Sequence, residues 1–562
     1  MENNSILSPV MLWRDFQIKY PLQESKTSEE IFDNVIYSEI YFSGRETSEG
    51  RVRIYGVFAK SRVVKKNVKK AGLLILPDAS ESVDLETVNY FVKQGYSVLM
   101  IDYRGEIAGT ENYTRYPDCI SYANYFSRGD RMDRCNYSAR ETCWFEWVSC
   151  AKYALNFLKT QRDLDSVGVI GIKSGADVGW QLCSMEEGGV NCFVPLFSAG
   201  GSAYKGYYKN DDVDMPMGDE RLRYLAGVDA GAYTQYMRCP TFFMIPSNCG
   251  YSDVERCFDS LSRVPKDTPL YINIAPRFTD VLDDRCKENV DLFLAKYLLG
   301  FKTDIPAEPK MSVGVSGRKV DIVVEEPDGV DNKVKKVSVF VAEGENDPEF
   351  RNYVDVKPVS VEDCRQSFAY TINTTCSYIN VFAVASFRNG FTVSTKIVTR
   401  RFPKIRFPKN NLLYSGKLPL TKASVRDFKD KSFCGLFFEE EYPVSLSRGA
   451  GDIAGIKGSR ELVFCRFSPE VYRINEYALL KADVYSEKRC AVKITIITEK
   501  RGEINEFSTV VYVRQGGVWN DILVRLSDFK SETNRSIEDY STVKAIKFAS
   551  DFTYVLNNVL VL

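Results

Sequence analysis

The chain has 562 residues, of which 44% are hydrophobic and 13% aromatic, and it contains no histidine. Its 74 basic and 75 acidic side chains nearly cancel, which argues against a surface built to bind nucleic acid. Histidine is the only side chain whose unperturbed pKa allows proton exchange near neutral pH. The composition therefore excludes a Ser-His-Asp triad and any metal site that needs imidazole.

Several features of the sequence indicate the cellular location of the protein. The N-terminal sequence MENNSILSPVMLWRDF lacks the basic and apolar regions of a secretory signal. No apolar run reaches the roughly 18 residues needed to cross a bilayer. The 15 cysteines, an odd number without close pairs, indicate reduced thiols. We therefore expect a cytoplasmic protein with no cofactor, no metal and no membrane partner.

The first half of the chain has the pattern of an α/β fold. Residues 31–62 alternate apolar and polar side chains, which predicts an antiparallel hairpin around a turn at residues 43–50. From about residue 70 to 302, short apolar runs are separated by helical segments, as in parallel strands buried on both faces. These runs are GLLILP, SVLMID, VGVIG, CFVPLF, TFFMI and LYINI. The prediction is a doubly wound α/β sheet preceded by a hairpin.

The helices of this region carry end signals. A helix over residues 83–94 is predicted to stop at Gly95. Ser138 and Glu141 stand at capping-box spacing before a long apolar-periodic segment. The last helix is predicted over residues 284–299, ending at Gly300.

The second half changes character. Residues 305–404 show alternating strands and no helix, which predicts an immunoglobulin-like β-sandwich. Residues 405–562 contain further short strands whose number and spacing predict a jelly-roll β-sandwich. The predicted organisation is an α/β domain over residues 1–304 followed by two all-β sandwich domains.

The sequence VGVIGIKSGADVGW carries most of the chemical information. An apolar strand, a turn of small residues and a helix form the context of a nucleophile elbow, whose motif is G-x-S-x-G. Gly171 and Gly175 fill the flanking positions, and Lys173 stands between them. Centring the turn on Ser174 would put the branched Ile172 where a small residue is needed. The register favours Lys173 at the tip and Ser174 as the first helical residue.

From about residue 30 to 300 the chain resembles the α/β-hydrolase superfamily, in particular its acetyl-xylan esterase and cephalosporin-C deacetylase-like branch. The segments that carry the resemblance are SVLMIDYRGE, YTRYPDCISYANYF, ETCWFEWVSCAKYAL, VGVIGIKSGADVGW and CPTFFMIPSNCGYSD. It implies that Lys173 stands at the serine position and Cys249 at the acid position. Thr279 or Asp280 stands at the histidine position. None of the family's three catalytic residues is then present at its position.

Two interpretations of these positions remain open. In the first, the site is inactive and a Lys173–Asp280 ion pair fills the volume of the lost catalytic groups. In the second, Lys173 acts as a base or forms a Schiff base, Cys249 acts as a thiolate nucleophile, or Ser174 serves as a weak alternative nucleophile. The carboxylate of Asp78, in the loop after the first parallel strand, would repel a developing oxyanion. We favour a pseudo-esterase with a binding or assembly role over an active carbohydrate esterase that uses non-standard residues.

The accessory domains suggest partners. In the middle domain, Phe350, Arg351 and Tyr353 are predicted to be packing residues. The last domain resembles carbohydrate-binding jelly rolls of the galactose-binding-like type in VWNDILVRLSDFKS and VKAIKFASDFTYVLNNVLVL. The aromatic residues considered for sugar contact are Trp519, Tyr472, Tyr477 and Tyr512. The partners left open are a carbohydrate, an acylated small molecule and a second copy of the chain.

Overall fold

The computed structural model describes most of the chain. The described residues are 6–63, 70–106, 110–128, 132, 134–161, 163–186, 188–210, 215–327, 334–344, 347–362, 367–374, 376–403, 411–417, 433–438, 444–458, 461–464, 469–500 and 503–562. The predicted boundary at residues 404–405 lies outside them.

A nine-stranded mixed sheet forms the centre of the first domain. Its strands are β1 (Ser25–Phe32), β2 (Val35–Thr47), β3 (Gly50–Ser61), β4 (Ala71–Leu76), β5 (Tyr96–Asp102), β6 (Ser166–Ile172), β7 (Cys192–Leu196), β8 (Thr241–Pro246) and β9 (Leu270–Ala275). They lie in the order β1-β2-β3-β5-β4-β6-β7-β8-β9, antiparallel from β1 to β5 and parallel from β5 to β9. The predicted hairpin is β2–β3, and β1 is an additional strand whose side chains are almost all exposed.

Helices cover the parallel strands on both faces. The helices are α1 (Pro9–Trp13), α2 (Leu85–Gln94), α3 (Tyr125–Arg128), α4 (Cys143–Thr160), α5 (Ser174–Ser184), α6 (Asp219–Gly227), α7 (Ala230–Tyr233), α8 (Val254–Leu261) and α9 (Asp284–Tyr297). Gly168 and Gly171 of β6 face opposite sides because strand side chains alternate. A Cβ on Gly168 would meet Leu298 just after α9, and one on Gly171 would meet Ala176 of α5.

The helix ends follow the predicted signals only in part. Gly95 ends α2 with a positive φ of 108°, as predicted. The capping-box prediction was wrong, because Ser138 caps a separate 3-10 turn over Ala139–Glu141. Helix α4 begins after Thr142, whose hydroxyl accepts the N–H of Phe145.

The middle part of the chain contains two antiparallel sheets packed face to face. Its strands are β11 (Lys310–Ser316), β12 (Lys319–Glu325), β13 (Val334–Glu343), β14 (Val354–Val356), β15 (Ser360–Glu362), β16 (Ser367–Asn373), β17 (Tyr378–Phe387), β18 (Thr392–Ser394) and β19 (Val398–Arg401); β10 (Leu282–Asp283) precedes α9. One sheet has the order β11-β12-β16-β15, and the other has β14-β13-β17-β18 with β19 also paired to β17. Alternating side chains such as Val320, Ile322, Val339 and Val381 fill the space between the sheets.

The last part is a second sandwich-like pair of antiparallel sheets. The remaining elements are β20 (Leu412–Tyr414), β21 (Phe437–Phe438), β22 (Ser445–Arg448), β23 (Ala454–Gly458), β24 (Glu461–Phe464), α10 (Pro469–Tyr472), β25 (Leu479–Tyr485), β26 (Cys490–Lys500), β27 (Glu503–Val513), β28 (Trp519–Arg525), β29 (Val543–Ala549) and β30 (Tyr554–Val561). The sheet orders are β22-β23-β30-β25-β28, with β20 on β30, and β24-β29-β26-β27. One hydrophobic core joins them.

One stretch of the predicted third domain packs on the first. Phe433 lies against Phe91 of α2, with ring centroids 4.6 Å apart, and its N–H donates to Thr87 Oγ1 at 2.6 Å. Strand β21 pairs in parallel with β10.

Among the described helices, none has the length and apolar character required to cross a membrane.

Candidate functional site

The elbow between β6 and α5 has Lys173 at its tip. Lys173 has φ 52° and ψ −113°, a strained conformation that L-residues rarely adopt. Both flanking glycines are sterically required. A Cβ on Gly175 would lie 2.1 Å from the Leu76 carbonyl oxygen, and one on Gly171 would lie 2.4 Å from the Gly175 carbonyl oxygen. The local sequence thus forms a strand–turn–helix elbow, and α5 begins at Ser174.

The side chain of Lys173 is half-buried and contacts an aromatic ring. Its Nζ lies 5.7 Å from the ring centroid of Phe197, within the range of a cation–π interaction. Asp280 is exposed, and within the described residues no ion pair joins it to Lys173. The interpretation that Lys173 and Asp280 form an ion pair is therefore wrong. Asp280 instead lies over Gly250, where a Cβ would be 3.5 Å from its Oδ1.

Ser174 is buried, and its hydroxyl is hydrogen-bonded on both sides. It donates to Asp78 Oδ1 at 2.6 Å and accepts the backbone N–H of Ala79 at 2.6 Å. The Tyr103 hydroxyl lies 3.2 Å from it and donates to the Pro77 carbonyl oxygen. With 1% of its surface exposed, Ser174 is not oriented to attack a substrate.

These contacts also use a backbone N–H of the loop after β4. An elbow hydrolase stabilises the oxyanion with the N–H of the residue after the tip and an N–H from a neighbouring βα loop. Here the loop after β4 offers the N–H of Ala79, which Ser174 Oγ already accepts. The Asp78 carboxylate beside it would oppose a second negative charge.

Cys249 follows β8 and is a buried, neutral thiol. Its Sγ faces the Phe197 carbonyl oxygen at 3.7 Å. Burial raises the pKa of Cys249 to about 12, and the smaller influences of Asp280 and Lys173 oppose each other. At neutral pH the thiolate is then on the order of one molecule in 10⁵, which does not favour it as a nucleophile.

The loop after β8 holds the middle domain. Asn248 donates from Nδ2 to the carbonyl oxygens of Arg351, at 2.6 Å, and Glu349, at 3.2 Å. Arg351 in turn forms a buried ion pair with Glu255 of α8, with Nη1 and Oε1 2.5 Å apart. The loop expected to carry the acid, together with helix α8 that follows it, therefore contributes to an interface inside the chain.

Residues 347–353, here called the bridging segment, contact all three parts of the chain. Besides the bonds to Asn248 and Glu255, the segment inserts Phe350 among three residues of the last domain, Val463, Ile497 and Ala545. Phe350, Arg351 and Tyr353 are all at most 1% exposed, as predicted for packing residues.

A buried acidic group behind the elbow was missed from the sequence. Asp177 of α5 accepts hydrogen bonds from Ser198 Oγ at 2.6 Å and from the Tyr251 hydroxyl at 3.2 Å. Burial raises the pKa of Asp177 to about 7, and the nearby Asp229 carboxylate adds to the rise. The available signal was an acidic residue in the first turn of a helix that is otherwise apolar and small.

The aromatic residues considered for sugar contact are dispersed. Tyr472 belongs to the core, with its hydroxyl donating to the Leu412 carbonyl oxygen, so it cannot contact a sugar. Trp519 is half-buried and donates to the Ala450 carbonyl oxygen. Tyr477 and Tyr512 are exposed at 83% and 69%.

No family model matches the chain, and no curated protein matches it. Several solved esterases have a similar structure over about half of it. The acetyl xylan esterase from Paenibacillus sp. R4 is 14% identical with a TM-score of 0.38, covering 50% of this chain and 90% of that one. Acetyl xylan esterase 1 from Thermoanaerobacterium sp. JW/SL YS485 is 13% identical with a TM-score of 0.37, covering 50% and 89%. A cold-adapted esterase from an Arctic intertidal metagenomic library is 11% identical with a TM-score of 0.32, covering 49% and 99%.

Proposed function

We propose that this chain is a catalytically degenerate α/β-hydrolase, a pseudo-esterase retained for binding or assembly. The observation that carries the proposal is the Ser174 hydroxyl, which is bonded to both Asp78 and Ala79. This arrangement uses the loop N–H that would stabilise an oxyanion and buries the hydroxyl nearest the elbow tip. With lysine at the tip and no histidine in the chain, neither a serine nucleophile nor its usual base is available.

The assembly role is supported by the use of the former catalytic loops. Asn248 and Glu255, on either side of the acid position, bind the bridging segment through hydrogen bonds and a buried ion pair. We propose that the hydrolase-like domain now orients the two sandwiches. A carbohydrate or an acylated small molecule, bound by those sandwiches, is the proposed ligand class, with self-association as the other mode of assembly.

The cellular location is part of the same proposal. Cys135, Cys192 and Cys257 are among the buried cysteines with free thiols. Such thiols suit a reducing compartment, and we propose the cytoplasm.

One observation favours the alternative, an active hydrolase with non-standard residues. Lys173 keeps a strained backbone at the elbow tip, and such strain is frequent at functional sites. A lysine at this position could act as a base or form a Schiff base with a carbonyl substrate.

Turnover by the purified full chain distinguishes the two. The substrates are p-nitrophenyl acetate and acetylated xylo-oligosaccharides, and the variants are Lys173→Ala and Ser174→Ala. The matched control is Lys302→Ala, which removes an exposed lysine near the end of the first domain. We expect all four proteins to give the same background rate. Turnover that Lys173→Ala abolishes and Lys302→Ala preserves would overturn the proposal.

A further inference from the structure

A cavity lies at the edge of the sheet opposite to the elbow. It has a volume of about 380 Å³, within the roughly 300–1,000 Å³ of small-molecule sites. Helix α5 starts at the elbow, and the cavity is lined by the residues at its other end, Ser184 to Glu186. The N-terminal segment around α1 and residues just before β8 complete the wall. The cavity is therefore separate from the former catalytic position.

The charged groups of the cavity give it an excess of positive charge. Arg14, Lys152 and Arg238 line it together with one carboxylate, Glu186. Glu186 is already compensated, because Lys152 and Lys159 lie 3.0 and 3.1 Å from its two oxygens.

The two arginines are available to a ligand. Arg238 is exposed and forms no ion pair in the described part of the chain. Among the residues that the structure describes, Arg14 forms an ion pair with Asp15 alone, at 3.4 Å between two largely exposed side chains, and such a pair contributes little stability.

The apolar wall of the cavity is aromatic. Trp13 stacks on Phe145 with ring centroids 4.8 Å apart, and its indole N–H donates to the Tyr233 hydroxyl at 3.0 Å. Phe16 meets Trp13 edge to face at 5.2 Å. The Lys152 ammonium lies 5.3 Å from the Trp13 ring. Trp13 is buried and Phe16 is half-buried, so a flat apolar ligand in this cavity would pack mainly against Phe16.

We propose that this cavity binds a small organic anion, an aromatic ring that carries a carboxylate or sulfonate. The ring lies against Phe16 and the small exposed part of Trp13, and the acidic group contacts Arg238 and Arg14. Charge-assisted bonds from guanidinium groups to such an acid are strong and directional. The site is independent of any catalysis at Lys173.

The test is calorimetric titration of the full chain with naphthalene-2-sulfonate, and with naphthalene-2-sulfonamide as a neutral ligand of the same shape. We expect the sulfonate to bind at one site and the sulfonamide to bind at least about tenfold more weakly, a difference of 1.4 kcal/mol. Arg238→Gln is expected to weaken sulfonate binding by about tenfold. Arg448→Gln, an exposed arginine of the last domain, is expected to leave it unchanged.

Three results would overturn the proposal: no saturable binding of the sulfonate, equal binding of the sulfonamide, or equal effects of the two arginine variants. Arg238 is exposed, so its substitution is not expected to unfold the chain, and a circular dichroism spectrum checks this. Met185→Trp provides a second variant, because a larger side chain in the cavity wall should exclude the ligand while both arginines remain.

Discussion

Ser174 and Asp78 lie 96 positions apart in the sequence and are joined by a hydrogen bond of 2.6 Å between Oγ and Oδ1. The bond turns the hydroxyl at the start of α5 toward the loop after β4, where that loop's own N–H also reaches it. In an active elbow this space receives the substrate's oxygen. Under the proposed function, the Ser174 side chain takes the place of a substrate oxyanion, and several consequences can be measured.

The first prediction concerns the stability that this bond provides. Ser174→Ala removes the partner of both the Ala79 N–H and the Asp78 carboxylate in a buried place. We expect the free energy of unfolding of the first domain to fall by about 1–3 kcal/mol. Denaturant titration followed by tryptophan fluorescence suits the measurement. Four of the five tryptophans lie in the first domain, namely Trp13, Trp144, Trp147 and Trp180.

Ser80→Ala is the matched control for that substitution. Ser80 donates to the other oxygen of Asp78 at 2.9 Å from a half-buried position that water can reach. Loss of the Ser80 hydroxyl should lower the free energy of unfolding clearly less than loss of the Ser174 hydroxyl. Equal costs would show that the bonds of Ser174 have no special role.

The second prediction concerns the strained tip. Glycine adopts positive φ without penalty, whereas Lys173 is held at φ 52°. Lys173→Gly should therefore be more stable than Lys173→Ala by about 1 kcal/mol, although both lose the contact with Phe197. The comparison of the two variants cancels that lost contact. A Gly variant no more stable than the Ala variant would mean that the tip is not strained.

The third prediction concerns the attachment of the middle domain. Arg351→Met leaves Glu255 buried without its ion partner, which should cost about 3–5 kcal/mol. We also expect faster proteolysis between the first two domains, since Arg351 belongs to the bridging segment. Lys336→Met, which breaks the exposed pair with Asp355 at 3.8 Å, should change either readout little. Similar proteolysis of the two variants would contradict an anchoring role for Arg351.

Features of this structure that depend on residues close together in the sequence could be predicted, and features that depend on distant residues could not. The elbow was predictable because Gly171, Lys173 and Gly175 stand at the motif's spacing within one short segment, although the backbone that requires Gly175 to be small belongs to the distant Leu76. The buried parallel strands were predictable from their continuous apolar runs. Strand β1 was not, because its exposed residues SKTSEEIF carry no apolar alternation.

The site itself depends on contacts between distant segments, which spacing alone does not reveal. The Ser174–Asp78 bond and the bridging segment both join residues about 100 positions apart. The Lys173–Asp280 pair was wrong because the loop after β9 presents Asp280 to solvent instead. Tyr472 and Tyr512 were indistinguishable as sequence, yet one lies in the core and the other on the surface of an edge strand.

The last prediction concerns pH. Burial raises the pKa of Asp177 to about 7 from an ordinary value of 3.8, so the folded state holds a proton that the unfolded state releases. Stability from this group is highest at low pH, falls as the pH rises from about 4 to 7, and is level above that. Asp177→Asn, which stays neutral, should therefore gain stability relative to the natural protein between pH 5 and pH 8. Between these two pH values the gain is at most about 3 kcal/mol, because only the roughly two pH units from 5 to the folded pKa of about 7 contribute.

Melting temperatures of the two proteins at pH 5 and pH 8 test the sign directly. Asp539→Asn is the control, because the Ser541 hydroxyl lowers the pKa of Asp539 and places its titration below this window. The difference between that variant and the natural protein should be the same at both pH values. If the difference in melting temperature between Asp177→Asn and the natural protein were also the same at both pH values, the Asp177 carboxylate would be charged in the folded protein from pH 5 to pH 8. Ser198 and Tyr251 would then be stabilising an anion behind the elbow, not a neutral acid.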